Sequence, residues 1–147
     1  SMTHPTPDFF HGETGVSLFN GDCYPLLDQF QGIDALMTDP PYGQNYKSNH
    51  NSRKFRPENH WTKHVRAENF KPIEGDDRPF DPAPFQQIAP KVLLWGANHF
   101  LNRLPHEGRM GRLLVWDKRE GNGSNHQADG ETAWSNLPGV LRIYSHL

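Results

Sequence analysis

Read for apolar and polar positions alone, the chain sets short apolar runs between polar connections punctuated by proline and glycine. The runs predict strands at 16–20, 33–38, 91–96, 112–117 and 140–145. Several are almost continuously apolar, Lys91-Val92-Leu93-Leu94-Trp95-Gly96 and Arg112-Leu113-Leu114-Val115-Trp116-Asp117 most clearly. That is the pattern of strands covered on both faces in a mainly parallel sheet. Between them, Tyr24, Leu26, Leu27 and Phe30 recur at helical spacing, with Asp22 placed to cap, Pro25 tolerated in the first turn and Gly32 closing. Asp81-Pro82 opens a second helix that ends near Ala89-Pro90. Asn98 to Leu104 predicts a third, stopped by Pro105, and Ala128 to Trp134 a helical turn. Strand and helix alternating in this way predict an α/β domain, a mainly parallel sheet with helices on both faces and right-handed crossovers.

Two stretches depart from the rhythm. Residues 1–14 are polar and punctuated, and read as an N-terminal arm leading into a domain over 15–147. Residues 44–80 form a polar insert, basic in its first half and acidic in its second. A connection longer than about 15 residues is uncommon in a compact domain unless it is functional or disordered. Two readings stand: a solvated segment, or a lid in which Tyr46, Phe55, Trp61 and Phe70 interleave with cations to cover a nucleotide or polyanion.

Composition narrows the function classes. A chain of 147 residues with 34% hydrophobic residues fits one domain with a lean core. A formal net charge of −2 excludes the strong basic field of a free-standing nucleic-acid binder, though not local basic patches. Cys23 is the single cysteine, which excludes an internal disulfide framework. No apolar run reaches membrane-spanning length.

The chemistry-bearing stretch is Ala35-Leu36-Met37-Thr38-Asp39-Pro40-Pro41-Tyr42-Gly43. The apolar run predicts a buried strand that stops at Asp39, because proline cannot donate to a sheet ladder. Pro41 disfavours helical backbone at Pro40, so the segment after the acid is extended and stiff. Ligands of open α/β sheets bind at the carboxyl ends of strands. An acid, a backbone carbonyl and an aromatic ring there make a receptor for a flat molecule bearing an amino group.

Asp39-Pro40-Pro41-Tyr42-Gly43 resembles the catalytic motif of the S-adenosylmethionine-dependent amino-methyltransferases of DNA, which modify adenine N6 or cytosine N4. Trp95-Gly96 with Asn98 and Phe100, then Leu114-Val115-Trp116-Asp117-Lys118, then Asp129-Gly130-Glu131-Thr132-Ala133-Trp134-Ser135 are similar to the family's successive strand-end segments in the same order. The closest likeness is to the branch whose catalytic motif precedes the cofactor glycine motif. The resemblance implies a partial Rossmann-like fold, S-adenosyl-L-methionine as cofactor, double-stranded DNA as partner and a cytoplasmic protein of prokaryotic or phage origin. Adenine is the favoured base.

The resemblance also implies roles. Asp39 and the Pro40 carbonyl would hold the target amine, with Asp39 also beside the cofactor, while Pro41 and Tyr42 would contact the extruded base. Asp22, expected at a neighbouring strand end, is either a cofactor ligand or a helix cap. Lys118 and Arg119, and in the insert Arg53, Lys54, Arg56 and Lys63, are candidate DNA contacts. Trp95 is either core or crevice lining. His60 and His64 lack an acid or cysteine to complete a metal set, so no metal site is expected. Nothing resembles the family's Phe-x-Gly-x-Gly loop, which this branch would carry beyond Leu147. A missing C-terminal part or a second subunit would then be required. The alternatives are a non-catalytic methyltransferase-like module that dimerises or binds a partner, and a nucleic-acid-binding domain without chemistry.

Overall fold

The computed structural model describes residues 6–30, 32–45, 72–105, 111–119 and 128–145. The chain forms two compact units, residues 1–40 with 81–147, and residues 41–80.

In the first unit, β1 (Phe9–His11) and β2 (Val16–Leu18) form an antiparallel hairpin, with Phe9 opposite Leu18 and His11 opposite Val16. Asp8 ties its open end: its N–H donates to the Leu18 carbonyl at 3.0 Å, and its Oδ2 accepts from the Asn20 N–H at 2.7 Å. The predicted strand at 16–20 therefore exists in part but, among the described residues, pairs only with β1, which lies inside the stretch read as an arm.

Both α-helices among the described residues are single turns. In α1 (Tyr24–Leu27) the cap position falls to Cys23, and the predicted cap Asp22 accepts the Tyr24 N–H through Oδ1 at 3.0 Å. The same offset recurs at α2 (Ala83–Gln86), where Asp81 Oδ1 accepts the Ala83 N–H at 3.0 Å. Each acid makes a local side-chain turn that starts the helix one residue later than the sequence predicts. Tyr24 meets Phe85 edge-to-face at 5.3 Å and Phe19 meets Phe30 at 5.5 Å. Aromatic pairing of this kind fixes such short helices better than their own propensity does.

The five-stranded sheet comprises β3 (Leu36–Thr38), β4 (Val92–Trp95), β5 (Arg112–Asp117), β6 (Gly130–Ser135) and β7 (Arg142–Ser145), in the order β3-β4-β6-β5-β7. The pairs β3/β4 and β5/β7 are parallel, while β6 runs antiparallel to both its neighbours. This overturns the predicted partial Rossmann-like, mainly parallel α/β sheet with helices on both faces. The sheet is mixed, and the two four-residue helices among the described residues are too short to cover its faces.

The chain departs furthest from its predicted course at β6. Residues 128–134 were expected to make a helical turn, yet Gly130–Ser135 is a strand in the middle of the sheet, with Ala133 and Trp134 buried. Cross-strand packing overrides the helical preference of Glu131 and Ala133: Trp134 lies opposite Leu94 on one side and Leu113 on the other. Glycine is needed at its start, since a Cβ on Gly130 would fall 2.4 Å from the Trp116 carbonyl oxygen. The predicted helix at 98–104 is likewise replaced by two 3-10 turns, Ala97–His99 and Leu101–Arg103. Phe100 breaks it, leaving helical backbone at φ −139° and burying its ring.

The core of this unit gathers Leu27, Phe85, Val92, Leu94, Phe100 and Trp134. At the far edge, β7 and its lead-in expose Val140, Leu141, Ile143 and Tyr144. Among the described residues no helix is long and apolar enough to cross a membrane.

In the second unit, the turn at 73–78 is anchored by Asp76, whose N–H donates to the Ile73 carbonyl at 3.3 Å, and Phe80 is buried.

Candidate functional site

Strand directions decide which residues meet. Because β3, β4, β5 and β7 run one way and β6 the other, the carboxyl ends of four strands and the amino end of β6 share one end of the sheet. Asp39 and Pro40 follow β3 there, the acid exposed and the proline buried. Gly96, Ala97 and Asn98 follow β4, Lys118 and Arg119 follow β5, and Glu131 and Thr132 open β6.

Thr132 joins two of these ends. Its carbonyl accepts the Gly96 N–H at 2.9 Å; its hydroxyl accepts the Asn98 N–H at 3.1 Å and donates to Asn98 Oδ1 at 2.9 Å. Asn98 Nδ2 in turn lies 3.1 Å from His99 Nε2. This pairing holds the Asn98 amide still beside the strand end. Thr132 was not a candidate in the sequence, where it fell inside an expected helical turn.

Lys118 and Arg119 are committed within the fold. Lys118 forms an ion pair with Glu131 and lies 5.0 Å from the Trp116 ring centroid, and Arg119 pairs with Asp129. The Asp117 carboxylate accepts the Arg119 N–H at 2.8 Å and the Ser145 hydroxyl at 3.4 Å. Among the described residues, Asp39, Asp117, Asp129 and Glu131 outnumber Lys118 and Arg119 around this sheet end. A phosphate would have to compete with carboxylates for both cations, whereas a cationic or amine-bearing ligand suits the balance. The insert candidates Arg53, Lys54, Arg56 and Lys63 lie outside the described residues, as do His60 and His64.

Asp22 is placed differently from its expected position. The strand before it, β2, belongs to the hairpin and not to the β3 sheet, and its Oδ1 accepts the Tyr24 N–H. Asp22 is therefore the acceptor of a local side-chain turn before the helix, whose cap position is Cys23, and it does not stand at the end of a strand neighbouring β3. Trp95 is half-buried and pairs with Ala133 in the ladder. Partial desolvation, and then the Asp22 carboxylate, push the Cys23 thiol above its ordinary pKa. Cys23 is thus mostly protonated near neutrality and poorly suited to be a nucleophile. Iodoacetamide should alkylate it more slowly in the folded protein at pH 8 than in urea, and Asp22→Asn should recover part of the rate. Faster alkylation in the folded chain would refute this.

Pro41 and Tyr42 belong to the second unit, with Tyr42 half-buried. Gly43 follows in the left-handed region at φ +75°, and a Cβ there would sit 2.4 Å from the Arg78 carbonyl oxygen, so only glycine fits. Asp76, 5% exposed, accepts the N–H groups of Gly43 at 2.9 Å and Gln44 at 3.1 Å through Oδ1, while its carbonyl accepts that of Asn45 at 2.7 Å. Sequence reading assigned Asp76 only to the acidic half of the insert. The Gly75-Asp76 pair was the available turn signal.

Among the described residues no group of three or more His, Cys, Asp and Glu is arranged to hold a metal ion. The chain matches no family profile, no curated protein and no solved structure.

Proposed function

We propose that this chain is the base-holding portion of an S-adenosylmethionine-dependent DNA amino-methyltransferase acting on adenine N6, with cytosine N4 the less favoured target. The observation that carries the reading is the position of Asp39-Pro40 at the carboxyl end of β3, the end to which β4 and β5 also run. The acidic balance of that end fits a cationic cofactor, although among the described residues no glycine loop forms a cradle for it.

S-adenosylmethionine, when bound, supplies a methyl group made electrophilic by its sulfonium. The chain's own residues act on the acceptor. An exocyclic amine is a weak nucleophile because its lone pair is delocalised into the ring. Asp39 and the Pro40 carbonyl accept the two amine hydrogens and favour a pyramidal nitrogen whose lone pair is directed outward. In this reading Asp39 also takes the proton that the amine must lose as its new N–C bond forms and the S–CH3 bond breaks. Tyr42 stacks on the extruded base, a contact worth about 1–3 kcal/mol that offsets part of the unstacking cost.

Calorimetric titration with S-adenosylmethionine, followed by radiolabelled methyl transfer to unmethylated DNA, tests the proposal. Saturable binding and label in adenine are expected. Absence of binding at millimolar cofactor would end independent catalysis by this chain. The exposed Val140, Leu141, Ile143 and Tyr144 on the open β7 edge favour the second reading, a non-catalytic module that self-associates. It would be supported if the chain showed no cofactor heat and a mass that rises with concentration.

A further inference from the structure

We infer that Asp76 is the positioning residue of Tyr42, an inference that rests on the reading of Tyr42 as the base-stacking ring. Tyr42 has two ways to swing: rotation about its own backbone, and movement of the segment that carries it. The Tyr42–Gly43 peptide plane is held because its N–H donates to the buried Asp76 carboxylate, which restricts ψ of Tyr42. The next peptide is held by the same oxygen through Gln44. On the other side, Pro41 has its own φ locked by its ring, and Gly75 lies against that ring, where an added Cβ would be 3.5 Å from Pro41 Cγ. Arg78 and Pro79 crowd the place where a side chain on residue 43 would go. One turn, residues 73–79, thus grips Pro41 through Gln44, and its buried Asp76 carboxylate accepts the backbone N–H groups of the two residues that follow Tyr42.

A carboxylate suits the task. Two N–H groups converging on one buried, charged oxygen form bonds stronger than neutral ones, and removing the acceptor leaves both donors without it. The neighbouring Asp77 is exposed and serves as control.

The test compares wild type, Asp76→Ala, Asp76→Asn and Asp77→Ala by nitrogen-15 NMR for the amides, by aromatic carbon-13 NMR for the Tyr42 ring, and by methyl transfer to unmethylated DNA. In Asp76→Ala the Gly43 and Gln44 amides should exchange with solvent at least about tenfold faster, the equivalent of losing one net bond to a charged group. The Tyr42 ring resonances should narrow toward averaged positions. Asp76→Asn, which keeps an oxygen acceptor, should restore most of both effects, and Asp77→Ala should resemble wild type. Methyl transfer should fall in kcat in Asp76→Ala with KM for the cofactor little changed. Unaltered Gly43 and Gln44 exchange, or unaltered Tyr42 resonances despite faster exchange, would overturn the inference. Because the NMR readout needs no turnover, an inactive wild type would count against the proposed function and leave the role of Asp76 decided by exchange and ring resonances.

Discussion

Replacing Asp39 with alanine is expected to slow methyl transfer to DNA about 10²–10³-fold, the usual loss on removing one preorganised polar group from a transition state. The same change should leave folding stability within about 0.5 kcal/mol, because Asp39 is exposed and lies beyond the last paired residue of β3. That separation of rate from stability is what distinguishes a group acting on the substrate from one supporting the strand. Asp39→Asn keeps an acceptor oxygen but cannot take up the amine proton, so its rate should fall between the two. Single-turnover transfer with saturating cofactor and DNA measures the difference free of product release. Equal rates for wild type and Asp39→Ala would remove Asp39 from the proposed chemistry. A parallel loss of rate and stability would mark it as structural.

What was legible in the sequence was local. Leu36–Thr38, Val92–Trp95, Arg112–Asp117 and Arg142–Ser145 all lie inside apolar runs that predict strands. The stop after Thr38 follows from proline chemistry alone. What was not legible depends on neighbours distant in the chain. A continuous apolar run predicts burial on both faces, which β3, with Met37 71% exposed, and β7, exposed throughout, do not show; nor does it carry the direction of the strand beside it, so the reversed β6 between β4 and β5 left no trace in either run. Within β6 itself, Glu131 and Ala133 favour helix, and only pairing with Leu94, Leu113 and their neighbours makes the segment a strand. The helices were overextended for a related reason. Leu26, Leu27 and Phe30 have helical spacing, yet α1 stops at Leu27 and Phe30 packs its ring against Phe19 instead. Asp76 shows the same limit at the candidate site: its bond to Gly43 spans 33 positions, and no spacing rule announces a contact of that kind.

Leu94→Ala should cost about 2–5 kcal/mol, as deletion of a fully buried leucine usually does. Leu94 is 0% exposed and sits in β4 between Thr38 of β3 and Trp134 of β6. Set against the roughly 5–15 kcal/mol that holds a typical domain, a loss of that size brings the chain near unfolding. Met37, on the adjacent strand, is 71% exposed, and Met37→Ala should change stability by no more than about 0.5 kcal/mol. Urea denaturation followed by tryptophan fluorescence measures both. Comparable small losses would contradict the placement of β4 in the interior of the mixed sheet. The consequence reaches the candidate site, because among the described residues β3 is an edge strand that pairs with β4 alone. A cavity at Leu94 loosens the strand that holds β3, and with it the point from which Asp39 projects. Leu94→Ala should therefore lower methyl transfer in sub-denaturing urea, at concentrations where Met37→Ala still retains the wild-type rate.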